Sequence, residues 1–124
     1  MSLLLDTHVV LWWLDDSPEL RTSVREAIRT EPDVLVSAAV VWEISIKAAR
    51  GKLKVIPDFA EYLRATRFAE LPITWHHGKL AGGLPRHHDD PFDRLLVAQA
   101  QSEGLTLVTR DGALRRYEVD LFPA

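Results

Sequence analysis

Short apolar runs that end abruptly at an acidic residue constrain the fold of this chain more than any other feature. Residues 3–5 are three leucines that lead into Asp6, and residues 106–109 lead toward Asp111. Runs of this length without alternation are typical of strands buried on both faces, which belong to parallel sheets covered by helices. Such sheets bind ligands beyond the carboxyl ends of their strands, so we expect Asp6 and Asp111 at a ligand-binding edge.

The segments between the apolar runs have helical patterns, and the alternation predicts a doubly wound α/β domain. A further strand is predicted at residues 34–36, with weaker candidates at 71–74 and 119–122. Helices are predicted at 8–14 with Thr7 as cap, from Ser17-Pro18, at 38–50 with Ser37 as cap, from Pro57-Asp58, and at 76–80, 91–103 and 113–117. We expect a three-layer α/β/α sandwich with a central parallel sheet of four to five strands.

The composition is that of one soluble globular domain spanning residues 1–124. The apolar stretches are far shorter than the roughly 20 residues of a membrane span. No signal peptide and no cysteine are found, so we expect a cytoplasmic protein without disulfides or membrane association. The net charge of −3 argues against a broad nucleic-acid-binding surface, but it permits a local basic rim around an acidic pocket.

Asp93 and Glu43 are further acidic residues near the predicted edge. Asp93 lies three residues after Asp90 at a helix start, and it borders the apolar face of that helix. Capping explains Asp90 and contributes about 0.3 to 1 kcal/mol. A half-buried Asp93 carboxylate, in contrast, requires a cation. Glu43 lies early in the helix after the second strand, and its alternative explanation is an exposed ion pair with Lys47.

If Asp6, Glu43, Asp93 and Asp111 converge, their charges must be compensated. Two like charges ~4 Å apart repel by roughly 4 kcal/mol at an effective dielectric constant near 20. Either protons or divalent cations must then fill the pocket, and a set of oxygen ligands suits Mg²⁺ or Mn²⁺. The alternative for Asp6 is a helix cap, and for Asp111 it is an Asp-Gly turn.

The histidines do not have the spacing of a zinc site. His76-His77 and His87-His88 are adjacent pairs whose members point in different directions, and no cysteine accompanies them. We expect solvated loop histidines. His8 is close enough to Asp6 to be a candidate substrate contact.

Four segments resemble the PIN-domain ribonucleases, and among these the toxins of VapBC-type toxin–antitoxin pairs. They are Leu5 to Trp13, Ser37 to Glu43, His88 to Ala100, and Thr109 to Asp111 closing with Tyr117. The resemblance spans the whole chain, and the segment from Asp90 to Ala100 is its most specific part.

This resemblance implies a divalent-metal-dependent endoribonuclease, the toxin of a type II pair, that hydrolyses RNA by water attack at an acidic Mg²⁺ or Mn²⁺ site. The metal-binding and catalytic residues would be Asp6, Glu43, Asp93 and Asp111. Hydrogen bonders around them would be Thr7, Ser37 and Thr109. Candidate contacts to RNA phosphates are Lys47, Arg50, Arg86, Arg94 and Arg110.

The resemblance also implies a cognate antitoxin and a homodimer. Candidate contact residues are Trp12, Trp13, Trp42 and Ile46, although the first two also suit an ordinary core.

Other protein classes fit the sequence less well. A receiver-like metal-binding signalling domain would need an aspartate after its third strand, but this chain has Ile73-Thr74-Trp75 there. A phosphatase with a strand-end aspartate nucleophile would usually carry a second aspartate at the position of His8. A catalytically inactive PIN-fold binding module is disfavoured because all four acids are present.

Overall fold

The structure, a computed structural model, describes residues 1–124 and contains a five-stranded parallel sheet flanked by six α-helices. In chain order the elements are β1 (Ser2–Leu5), α1 (Thr7–Leu14), α2 (Thr22–Thr30), β2 (Asp33–Ser37), α3 (Ala38–Ala49), α4 (Phe59–Ala65), β3 (Ala69–Leu71), α5 (Trp75–Gly82), α6 (Pro91–Glu103), β4 (Thr106–Thr109), a short 3-10 helix (Gly112–Arg116) and β5 (Leu121–Pro123). The predicted α/β/α fold class is confirmed.

The order of the strands places the ends of β1 and β4 side by side. The order across the sheet is β3-β2-β1-β4-β5, and every neighbouring pair is parallel. The chain therefore moves outward in one direction from β1 to β3 and in the other direction from β4 to β5. Leu5 pairs with Val108, and the Asp6 N–H donates to the Val108 carbonyl at 3.1 Å. The edge beyond these two strands is the topological switch point, where open α/β sheets bind ligands.

The core lies on both faces of the central strands. Leu3, Leu4 and Leu5 are fully buried, as expected for a parallel strand covered by helices on both sides. Full burial of a leucine side chain contributes roughly 1.5–3 kcal/mol. β1 is thus a rigid base from which Asp6 projects.

Helix α6 has well-defined signals at both ends. The Asp90 side chain caps its first turn by accepting the N–H groups of Phe92 at 2.8 Å and Asp93 at 3.3 Å, and Pro91 occupies the first turn. Gly104 ends the helix with φ of 66°, a left-handed conformation that is costly for residues with a Cβ atom. These signals fix where Asp93 lies relative to the sheet.

Helix α2 and strands β3 and β5 differ from the sequence predictions. Helix α2 starts at Thr22 rather than at Ser17, because Ser17 forms a local turn, accepting the Glu19 N–H at 3.1 Å, and Asp16 has a positive φ of 49°. Strand β3 ends at Leu71, because Pro72 has no N–H for the sheet. Strand β5 begins only at Leu121.

Three helix boundaries also differ. The cap of α1 is Asp6 rather than Thr7, which forms the first helical residue. Helix α4 begins at Phe59 after a turn, and α5 extends to Gly82. None of the helices combines the length and the apolar character that crossing a membrane would require.

Candidate active site

The four predicted acids line one pocket at the carboxyl edge of the sheet. Asp6 directly follows β1, Asp111 follows β4, Glu43 lies in α3, and Asp93 lies in the first turn of α6. The remaining residues that line this pocket are Thr7, His8, Trp12, Lys47, Asp90 and Arg110. The topology thus brings together acids that are up to 105 positions apart, from Asp6 to Asp111.

Asp6 both caps a helix and lines the pocket. Its side chain is buried, with 6% exposure, and it caps α1 by accepting the Val9 N–H at 3.0 Å. Burial raises the pKa of Asp6, and a hydrogen bond from the Thr109 side chain acts in the opposite direction. Both explanations considered for this residue, cap and pocket acid, therefore apply.

Glu43 is held in a fixed orientation. Thr7 Oγ1 donates to its Oε1 at 2.6 Å, and Lys47 Nζ donates to its Oε2 at 2.8 Å. The ion pair with Lys47, the alternative explanation for Glu43, is present, but Glu43 itself is only 7% exposed because α3 turns it toward the sheet edge. A buried carboxylate with a donor on each oxygen is held in one direction.

The carboxyl group of Asp93, like that of Asp6, has a raised pKa. Burial raises its pKa to about 7, the negative charge of Asp90 adds to this rise, and His88 opposes it. The charges of Asp6 and Glu43 also raise the pKa. At neutral pH this site therefore favours either a proton or a cation on Asp93.

His88 lies between Asp93 and Asp111 and was missed as a site residue. Its Nε2 is 2.8 Å from Asp111 Oδ2 and 3.4 Å from Asp93 Oδ2. Ligand atoms of these three residues lie within 4.8 Å of one another. The expectation of a solvated loop histidine is wrong here, because the 82–90 loop folds back over the pocket edge. The sequence feature that could have indicated this role was the position of His88, two residues before Asp90, which caps helix α6.

His77 is also not a solvated loop residue. It is 2% exposed, accepts the Thr74 N–H at its Nδ1, and contacts Glu103 through Nε2 at 3.1 Å. These contacts belong to the start of α5 and not to the acidic pocket. His76 and His87 are exposed, as expected, and His8 is exposed at the pocket wall.

Arg94 anchors the loop before α6. Its guanidinium donates to backbone carbonyls of Ala81, Leu84, Pro85 and His88 at 2.9 to 3.3 Å. Tyr117 fixes the same loop, because its hydroxyl donates to the Pro85 carbonyl and accepts the His88 N–H. The donors of Arg94 are thus engaged within the protein, and its contact with an RNA phosphate stays a prediction.

Arg110 is likewise engaged within the protein. It lies over the Trp12 ring at 4.1 Å and pairs with Glu19 at 2.8 Å. It also donates to the carbonyl of the last residue, Ala124. Of the remaining predicted phosphate contacts, Lys47 pairs with Glu43, whereas Arg50 and Arg86 are exposed.

The tryptophans separate into two groups. Trp12 and Trp13 are partly buried and pack against the core, which supports the ordinary explanation for them. Trp42 is 60% exposed and contacts the edge of Phe92, with ring centroids 5.4 Å apart. Ile46, one turn later in α3, is half-buried. The exposed aromatic surface thus begins next to Glu43.

The donor set of the pocket fits a hard divalent cation. Carboxylate oxygens are the ligands that Mg²⁺ and Mn²⁺ prefer. Burial raises the pKa of Asp93 to about 7 and also raises that of Asp6. The two basic residues that line the pocket, Lys47 and Arg110, are already paired with Glu43 and Glu19. Lys47 is the nearest ammonium group, and it is bound to Glu43.

Comparison with known proteins places this architecture in a family. Ribonuclease VapC22 from Mycobacterium tuberculosis is 29% identical over 119 residues, which cover 94% of this chain and 92% of that protein. The structure of VapBC2 from Rickettsia felis bound to a DNA fragment from their promoter superposes with a TM-score of 0.72 at 18% identity, covering 100% and 99% of the two chains. A toxin-antitoxin complex from Klebsiella pneumoniae gives a TM-score of 0.70 at 18% identity, with 99% and 98% coverage. The PIN domain family model matches residues 3–120, and the chain therefore belongs to the PIN domain family.

Proposed function

We propose that this chain is a divalent-metal-dependent endoribonuclease and the toxin of a type II toxin–antitoxin pair. The observation that carries the proposal is the convergence of Asp6, Glu43, Asp93 and Asp111 at the switch point of the sheet. The similarity to a protein named as a ribonuclease and to VapBC complexes supports it. The cation would be Mg²⁺ or Mn²⁺.

Each acid has a distinct part in this proposal. Asp6, Asp93 and Asp111 would hold the cation, and Glu43 would either join them or orient water. When bound, the cation would activate water and stabilise charge on the leaving oxygen of the phosphodiester. The Thr7 and Lys47 donors keep the Glu43 carboxylate oriented. The Thr109 hydroxyl accepts the Asp111 N–H at 3.1 Å and hydrogen-bonds the Asp6 side chain, and so links the residues that follow β1 and β4. Ser37 contributes indirectly, since its buried hydroxyl caps α3 by accepting the Ala39 N–H.

The substrate would approach across the rim of this pocket. Arg50 and Arg86, both exposed, are the predicted basic residues whose side chains have neither an ion pair nor a hydrogen bond in the structure, whereas Lys47, Arg94 and Arg110 are engaged within the protein. His8 on the pocket wall is the third candidate for contact with RNA.

This single domain would act in the cytoplasm. Its partners would be an antitoxin that blocks the acidic groove and a second copy of the chain. The solved complexes of similar fold support an antitoxin partner. Trp42, exposed beside Glu43, is the residue we assign to a protein contact.

The test compares RNA cleavage by the purified chain, free of antitoxin, in EDTA, Mg²⁺ and Mn²⁺. We expect cleavage only with metal, and a loss of at least 100-fold in Asp6→Asn and Asp93→Asn, because each removes a charge from the cation site. Asp58→Asn is the matched control, since Asp58 is exposed and its side chain makes no cap hydrogen bond.

Two outcomes would contradict the proposal. If the wild type cleaves no RNA with either metal and its expression does not harm its host, the toxin assignment fails. If the wild type binds the cation and still cleaves nothing, the chain is a catalytically inactive PIN-fold binding module. A receiver-like domain is disfavoured by the structure as well, because β3 ends at Leu71 and is followed by Pro72 rather than by an acid.

A further inference from the structure

We propose that His88 is a positioning residue that holds the Asp111 carboxylate in place beside Asp93 for the cation. The inference rests on the proposed metal site and adds a residue to it. It concerns a hydrogen-bond donor rather than a fifth ligand. Three sets of contacts carry it: those of the ring, those of the carboxylates and those of the backbone around His88.

The contacts of the ring fix which nitrogen carries the proton. The Asp90 N–H donates to His88 Nδ1 at 3.1 Å, so Nδ1 acts as an acceptor and carries no hydrogen. A neutral imidazole with an unprotonated Nδ1 carries its hydrogen on Nε2. This nitrogen lies 2.8 Å from Asp111 Oδ2 and 3.4 Å from Asp93 Oδ2. His88 therefore donates to Asp111 and stands between the two carboxylates.

The same contacts argue against direct coordination by His88. Coordination through Nε2 would require the hydrogen to move to Nδ1, where it would face the Asp90 N–H. That N–H cannot move away easily, because the Asp90 side chain caps helix α6. Nε2 thus remains a donor to the Asp111 carboxylate, in the way that outer residues orient metal ligands.

The position of Asp111 is fixed from both sides. Its Oδ1 accepts the Ala113 N–H at 3.0 Å, and its Oδ2 accepts from His88. Each oxygen keeps a further lone pair for a cation. Without His88, the carboxylate would be held by one backbone N–H alone and would be free to turn toward solvent, since its side chain is 38% exposed.

The backbone of His88 is anchored well enough to act in this way. Its N–H donates to the Tyr117 hydroxyl at 3.1 Å, and its carbonyl accepts from Arg94 at 3.3 Å. Its side chain is 19% exposed. A donor that is itself held on both sides can orient a ligand at little entropic cost.

The test is a titration of the metal-free protein with Mg²⁺ and with Mn²⁺, followed by calorimetry and by thermal melting. We expect His88→Ala to weaken the binding of both ions by a similar factor of about 10-fold or more, which is the usual effect of removing such a residue. His88→Gln should weaken binding less, because its amide N–H₂ lies near the position of Nε2. The control is His76→Ala, which removes an exposed histidine outside the pocket.

The choice of ions separates positioning from coordination. A nitrogen ligand favours Mn²⁺ over Mg²⁺, so loss of a direct ligand would weaken Mn²⁺ binding much more than Mg²⁺ binding. That result would overturn the positioning role. Binding of both ions to His88→Ala within about twofold of wild type would overturn it as well. If His88→Ala does not fold in EDTA, His88→Asn provides the same test, because its shorter amide does not reach Asp111.

Failure of this inference is distinguishable from failure of the proposed function. If neither ion binds the wild type, the metal site itself is refuted. If both ions bind the wild type and the His88 variants equally well, the metal site remains and only the role of His88 is lost.

Discussion

The Thr7 hydroxyl donates a 2.6 Å hydrogen bond to the Glu43 carboxylate, and this buried contact joins the end of β1 to helix α3. The two residues are 36 positions apart in sequence. The contact orients the one pocket acid that does not lie at a strand end or in a first helical turn, and it leads to the first prediction.

We expect Thr7→Val to lower the free energy of unfolding by about 1–3 kcal/mol, because a buried carboxylate loses one of its two donors. Urea denaturation in EDTA measures this change. The control is Thr30→Val, at an exposed position at the end of α2, where the expected effect is within about 0.5 kcal/mol. Equal stability of the Thr7 variant and the wild type would show that the contact contributes nothing.

The second prediction concerns the stability of the metal-free protein and Asp93. Burial raises the pKa of Asp93 from 3.8 to about 7, so between these values the folded state binds more protons than the unfolded state. The stabilising contribution of the proton is therefore complete below pH 4 and is lost as the pH rises toward 7. We expect Asp93→Asn to raise the Tm above that of the wild type at pH 8 in EDTA, and to remove most of this pH dependence. A lower Tm of the variant at pH 8 would contradict the assignment.

The third prediction is that protons and divalent cations compete at the pocket. Only ionised Asp93 suits a cation, and its pKa is about 7, so the affinity for Mn²⁺ should fall by up to about tenfold per pH unit below that value. Calorimetric titrations at pH 5.5, 6.5 and 7.5 would measure this slope. An affinity that is unchanged across this range would show that Asp93 is not a ligand.

The fourth prediction separates two roles of Arg94. Because its guanidinium donates to the loop carbonyls, Arg94→Gln should destabilise the protein by about 1–3 kcal/mol. The matched control is Arg86→Gln, at an exposed position, which should leave the stability nearly unchanged. If Arg94→Gln instead keeps the stability of the wild type and raises the KM for RNA in a salt-dependent manner, Arg94 contacts phosphate rather than the loop.

Strands β1, β2 and β4 and helices α3 and α6 could be predicted closely from the sequence. Each has a local signal, such as the three leucines of β1 or the Asp90 cap and Gly104 stop of α6. The edge strand β3 ends earlier in the chain than the sequence predicts. Pro72 ends it, although the apolar pattern continues beyond this residue. The sequence predicts the start of helix α2 too early, because the residues that form the turn at Ser17 are also typical of a helix cap.

The sequence by itself determined the parallel sheet and the positions of the four acids along the chain, because strand ends and apolar runs are local properties. Only the tertiary structure decided that Glu43 is buried with Thr7, that Arg94 holds a loop, and that His88 reaches Asp111. Those contacts join residues from different elements, and their geometry depends on how the elements pack. Asp6 shows the limit of local reasoning, since the same side chain caps its helix and faces the pocket.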